Sequence, residues 1–95
     1  MCLVIVYLLG ARKCENCDYM AAELAKAGIP TQKIVIDPTN EEHMRLVEES
    51  KAANFMEAPI ICVMDESEVL QFIVSGRSNY ALLKTKSQYK QLVAA

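Results

Sequence analysis

The chain has 95 residues, 53% of them apolar and 23% charged, with a formal net charge of -2. That length suits one domain with its own core and little stability to spare. With no basic run or cluster there is no nucleic-acid footprint, so no nucleic-acid partner is expected.

The apolar run Cys2–Leu9, with Val4, Ile5, Val6 and Tyr7 at its centre, suits a strand covered on both faces. No Lys or Arg precedes it, and it ends after Leu9, unlike a secretory signal. It is also far too short to cross a bilayer. A buried first strand, a cytoplasmic location and no membrane partner are the expectations. Gly10, Ala11 and Arg12 leave the strand.

A helix is predicted from about Glu15 to Ala27, with Met20, Leu24 and Ala27 on one face and Asp18, Glu23 and Lys26 wet. Gly28 sits where a left-handed cap belongs, and Pro30 stops the helix from resuming. Thr31–Asp37, β-branched around Ile34, Val35 and Ile36, reads as a second strand. The turn Asp37-Pro38-Thr39-Asn40 flows into a second helix, about Asn40 to Asn54. Thr39 and Glu42 fit a capping box, and Met44, Val47 and the stem of Lys51 mark its apolar face.

Beyond Ala58-Pro59, Ile60–Met64 reads as a third strand and Val69–Val74 as a fourth, joined by the polar turn Asp65–Glu68. Ser75-Gly76-Arg77-Ser78-Asn79 breaks the pattern before a last helix, about Asn79 to Val93, carrying Leu82, Leu83, Tyr89 and Leu92. No repeat or linker divides the chain, so residues 1–95 form a single domain. The order β-α-β-α-β-β-α predicts an α/β fold: a four-stranded mixed sheet, first pair parallel and last pair an antiparallel hairpin, with three helices on its faces.

Cys14 and Cys17 stand three residues apart at the first strand-to-helix junction. A sulfur at a helix N-terminus meets unpaired backbone N–H groups and the positive end of the macrodipole, both of which favour thiolate. Cys14 is therefore the expected exposed, attacking sulfur, with Lys13 adding positive charge, and Cys17 the more buried resolving thiol. Two other readings share this spacing. One is a stable structural disulfide, which stabilises little across so small a loop. The other is half of a tetrahedral zinc site, which His43 and other cysteines would have to complete.

Cys2 and Cys62 lie in apolar runs and read as inert core residues. His43 reads as a solvent-facing residue of the second helix, and Glu41, Glu42, Glu48 and Glu49 as that helix's wet face. Tyr19, close behind Cys17, is either packing or the rim of a groove.

Three stretches, Lys13-Cys14-Glu15-Asn16-Cys17, Glu57-Ala58-Pro59-Ile60 and Ser75-Gly76-Arg77-Ser78-Asn79, carry a resemblance. Over essentially its whole length the chain resembles the glutaredoxin family of the thioredoxin superfamily. The resemblance implies a thioredoxin-like (glutaredoxin) fold. It also implies a thiol–disulfide oxidoreductase, an electron carrier reducing protein or glutathione mixed disulfides through Cys14 and Cys17. Pro59 is then cis and lies beside the dithiol, where the bland alternative is a trans proline opening a strand. Ala58 and Pro59 present backbone to an extended peptide or to glutathione, and Lys13, Asn16, Gly76, Arg77 and Ser78 complete the implied binding set. Arg77 would meet a carboxylate, where the alternative is a solvated surface arginine, and Ser78 or Asn79 would also cap the last helix.

The Ala58-Pro59 and Ser75-Gly76 forms are more similar to the redoxins that serve ribonucleotide reductase than to ordinary glutaredoxins, while Glu15-Asn16 matches neither branch. The implied partners are glutathione or thioredoxin reductase as electron donor and a disulfide-containing protein, ribonucleotide reductase among them, as substrate. Glutathione is the implied co-substrate, with no tightly bound cofactor, and the protein is expected to be a monomer. The alternative function is a metal or iron–sulfur binding module of the same fold.

Overall fold

The computed structural model describes residues 4–54 and 57–94. Its elements are β1 (Ile5–Gly10), α1 (Glu15–Lys26), β2 (Thr31–Val35), α2 (Glu41–Ala52), β3 (Ile60–Met64), β4 (Leu70–Ser75) and α3 (Asn79–Ala94). The predicted order is found, in a single four-stranded sheet ordered β2-β1-β3-β4. β1 pairs parallel with β2 and antiparallel with β3, and β3 pairs antiparallel with β4. Cys2 lies outside the described residues. Among those described, no helix is long and apolar enough to cross a membrane.

Alternation along the two central strands builds a core on each face of the sheet. Val4, Val6 and Leu8 with Ile61 and Val63 meet Met20 and Leu24 of α1 and Ala81 of α3. Leu9 with Ile60, Cys62 and Met64 meets Leu46 of α2. β3 is buried at all five positions because helices cover both its sides.

The helix faces differ from expectation in three places. Ala27 is exposed and caps α1 rather than extending its apolar stripe. In α2 the buried positions are Leu46 and Ser50, with Met44 and Val47 only half-buried. In α3 the small residues Ala81 and Thr85 face inward, while Leu83 is 63% exposed. The Thr85 hydroxyl satisfies itself on the Ala81 carbonyl at 2.8 Å, so a polar residue is buried there without an orphaned group.

The start of α2 also differs. Asn40, not Thr39, is the N-cap, its side chain accepting the His43 N–H at 3.1 Å. The Thr39 hydroxyl instead donates to the Asp37 carboxylate at 2.7 Å, which helps hold that carboxyl below its ordinary range. His43 is half-buried, and its Nδ1 accepts the Asp37 N–H at 3.1 Å. Its role is to tie the β2–α2 turn, not simply to face solvent.

Candidate active site

β1 delivers the chain to the end of the sheet, and the loop 11–13 feeds it straight into α1. Cys14 has extended backbone (φ -135°, ψ 93°) and is the N-cap of α1. Its Sγ takes the place of the usual capping oxygen, accepting the Cys17 N–H at 3.1 Å. The same sulfur is bonded to Cys17 Sγ, with the two Cα atoms 5.2 Å apart. Cys17 is 1% exposed and Cys14 8%. The expected order of exposure holds, though in the oxidised form Cys14 too is nearly closed off from solvent.

Lys33 of β2 braces this junction, its ammonium donating to the Arg12 carbonyl at 3.0 Å and lying 4.0 Å from Asp18 of α1. Gly10 closes the floor beneath the sulfurs. A Cβ at Gly10 would lie 2.6 Å from Cys17 Sγ, closer than real side chains approach, and a tight 3.0 Å from Cys14 Sγ. Gly10 also holds the sheet together here, its carbonyl accepting the Ile36 N–H at 3.0 Å.

An open cleft of about 420 Å³ leads to Cys14, lined by Ala11, Lys13, Glu15, Asn16 and Ala58. Lys13, Asn16 and Ala58 are thus brought to the dithiol. The Ala58–Pro59 peptide is cis. Pro59 is buried, and its carbonyl accepts the Gly76 N–H at 3.0 Å, which ties the start of β3 to the turn before α3. Gly76 has φ +91°, a backbone geometry that L side chains rarely adopt.

Arg77 and Ser78 lie beyond that turn and do not line the cleft with Cys14. Ser78 caps α3, its hydroxyl accepting the Ala81 N–H at 3.0 Å. The Arg77 guanidinium stacks on Tyr19, 4.1 Å from the ring centroid, joining the turn before α3 to α1. It is therefore neither a free surface arginine nor aimed at the dithiol.

Sequence reasoning missed Gly10, Lys33 and Glu57. Gly10 left a local trace, as a glycine at the end of a strand four residues before the first cysteine, and Glu57 stood in the Glu57-Ala58-Pro59-Ile60 stretch without a role of its own. A second cleft, about 270 Å³, lies between β1, β2 and α2 around Tyr7, Ile34, His43 and Leu46. It shares no residue with the dithiol cleft and contains no nucleophilic sulfur. Cys62 lies in the core with its thiol pushed up to about 12 by burial, so it stays a protonated apolar filler.

A four-stranded mixed sheet, three helices and a dithiol at the N-terminus of the first helix decide the architecture. The fold is that of thioredoxin. A solved structure described as oxidised thioredoxin from Plasmodium falciparum superimposes with a TM-score of 0.55 at 15% identity, covering 90% of this chain and 80% of that one. The likeness is one of fold. No family model matches the sequence, and no curated protein matches it.

Proposed function

We propose that this chain is a thiol–disulfide oxidoreductase, a glutaredoxin-like electron carrier working through Cys14 and Cys17. The observation that carries the reading is the Cys14–Cys17 bond at the N-terminus of α1, with Cys14 Sγ receiving a backbone N–H. In the reduced protein that N–H and the α1 dipole stabilise a Cys14 thiolate, and the cleft beside Lys13 and Ala58 gives it a way in.

Cys14 thiolate attacks one sulfur of a substrate disulfide, forming a mixed disulfide and expelling the first substrate thiolate, which takes up a proton. Cys17 gives up its proton and attacks Cys14 Sγ, forming the Cys14–Cys17 bond and expelling the second thiolate. Two electrons pass from the protein to the substrate; the Cys17 proton goes to the second thiolate, and water supplies the proton of the first, matching the one Cys14 released on ionising. In this reading Ala58 and Pro59 supply the substrate-facing backbone beside the dithiol and Gly76 holds Pro59 in place through its N–H, while Arg77 and Ser78 stay engaged with Tyr19 and the start of α3. The residue sets around Ala58-Pro59 and Ser75-Gly76 favour a redoxin that serves a protein such as ribonucleotide reductase.

The test is steady-state disulfide reduction with NADPH, run beside glutathione plus glutathione reductase and beside thioredoxin reductase alone. Turnover in either arm supports the carrier, and the arm that works identifies its electron donor. Silence in both, with the protein folded and its thiols reduced, removes the reading.

A further inference from the structure

The acidic residue beside the cleft is not accounted for by the redox chemistry. Glu57 precedes Ala58, one Cα step of about 3.8 Å from the cleft wall. It is exposed, yet its side chain lies back over the turn before α3. One carboxylate oxygen sits 2.8 Å from where a Gly76 Cβ would be, a space open only because residue 76 is glycine. The Glu57 N–H reaches the Ser75 hydroxyl at 3.4 Å, so backbone and side chain both rest on the same turn.

This carboxylate stands outside the ion pairs of the described residues. Among the described residues no cation forms an ion pair with it. Arg77, next to Gly76, turns its guanidinium onto Tyr19 instead. Within the cleft, Lys13 and Glu15 carry charges of opposite sign. Glu57 is then an exposed negative charge one residue from the Ala58 wall of the cleft.

We infer that Glu57 is a specificity-determining residue, a negative charge beside the cleft that favours cationic disulfide substrates, such as a basic protein segment, and disfavours anionic ones. The inference rests on the redox reading above. Each turnover still moves two electrons from the Cys14–Cys17 dithiol to the substrate disulfide, with one proton from Cys17 and one from water. Glu57 takes no part in that transfer and acts only on which substrate reaches Cys14.

The test compares wild-type protein with Glu57→Gln, which keeps the shape and removes the charge. Each protein is reduced with dithiothreitol and freed of it. It is then mixed with cystamine (cationic), bis(2-hydroxyethyl) disulfide (neutral) or 3,3′-dithiodipropionate (anionic). The rate of Cys14–Cys17 bond formation is read for each and normalised to the neutral disulfide of the same protein. Two unit charges about 4 Å apart in water correspond to about fivefold in rate, and the two charged probes respond in opposite senses. The expected result is a cystamine-to-dithiodipropionate ratio at least about fivefold lower in Glu57→Gln at low salt, with the gap closing near 0.5 M salt. Equal ratios in the two proteins, or a gap that salt does not close, would overturn the inference and leave the redox reading standing. Failure of wild-type protein to reduce even the neutral disulfide would remove both.

Discussion

Gly10 and Cys17 meet at the base of the site, with a Cβ on Gly10 falling 2.6 Å from Cys17 Sγ. The sulfur is held by its bond to Cys14 and has no flexible end to move away. Gly10→Ala should therefore destabilise the oxidised protein by about 1–3 kcal/mol, the usual cost of overpacking. The loss should be smaller in the reduced protein, whose separate thiols can turn aside. Urea unfolding of both redox forms checks this, and equal losses would mean that the sulfurs are not what Gly10 accommodates.

Cys14 and Cys17 have unequal tasks. Cys14→Ser should bring disulfide reduction down to background, since the attacking sulfur is gone. Cys17→Ser keeps the backbone N–H that Cys14 Sγ accepts, so attack continues but resolution stops. Mass spectrometry of Cys17→Ser after exposure to a small disulfide should show a lasting adduct on Cys14. A structural disulfide would produce no such asymmetry.

Cys62 should stay silent when the protein is alkylated. Its thiol is buried and raised to about 12, so near pH 8 it remains protonated as well as covered. After reduction, iodoacetamide should modify Cys14 in the native protein and reach Cys62 only in denaturant. Peptide mapping reads both outcomes.

Gly76 is constrained by its backbone more than by its neighbour. Its φ of +91° strains any side chain, whereas the Glu57 carboxylate beside it is the mobile end of a long side chain. Gly76→Ala should cost about 1–3 kcal/mol. Adding Glu57→Ala should not restore that loss. Recovery in the double variant would shift the cause from backbone to crowding.

The cap of α2 separates two readings of one turn. Asn40→Ala should cost about 1 kcal/mol, because the His43 N–H loses its acceptor. Glu42→Ala should change stability by less than about 0.5 kcal/mol, since Glu42 pairs with Arg45 on an exposed surface rather than closing a capping box. Thermal unfolding of the two variants checks the order.

Apolar patterning made the fold readable from the chain. Continuous apolar runs marked β1 and β3, and Gly28 with Pro30 and the polar turn Asp65–Glu68 marked the breaks. The dithiol was readable too, because its two cysteines lie within one helical turn and their placement at a helix start is a local matter. The N-cap of α2 was misplaced by one residue, since Thr39 and Asn40 are both good caps and only the backbone path chooses between them. The inward face of α3 was misjudged because close approach to the sheet favours Ala81 and Thr85 over the larger Leu83.

The sequence alone determined the order of elements, the two central strands and the pair of sulfurs, all written in neighbours a few residues apart. Tertiary structure decided what surrounds those sulfurs. Gly10 beneath them, Lys33 bracing their loop, Arg77 drawn onto Tyr19 and Glu57 resting on Gly76 join residues from 4 to 58 positions apart. Such contacts leave no periodic trace, because they arise only when the sheet brings its strand ends and helix starts to one edge of the molecule.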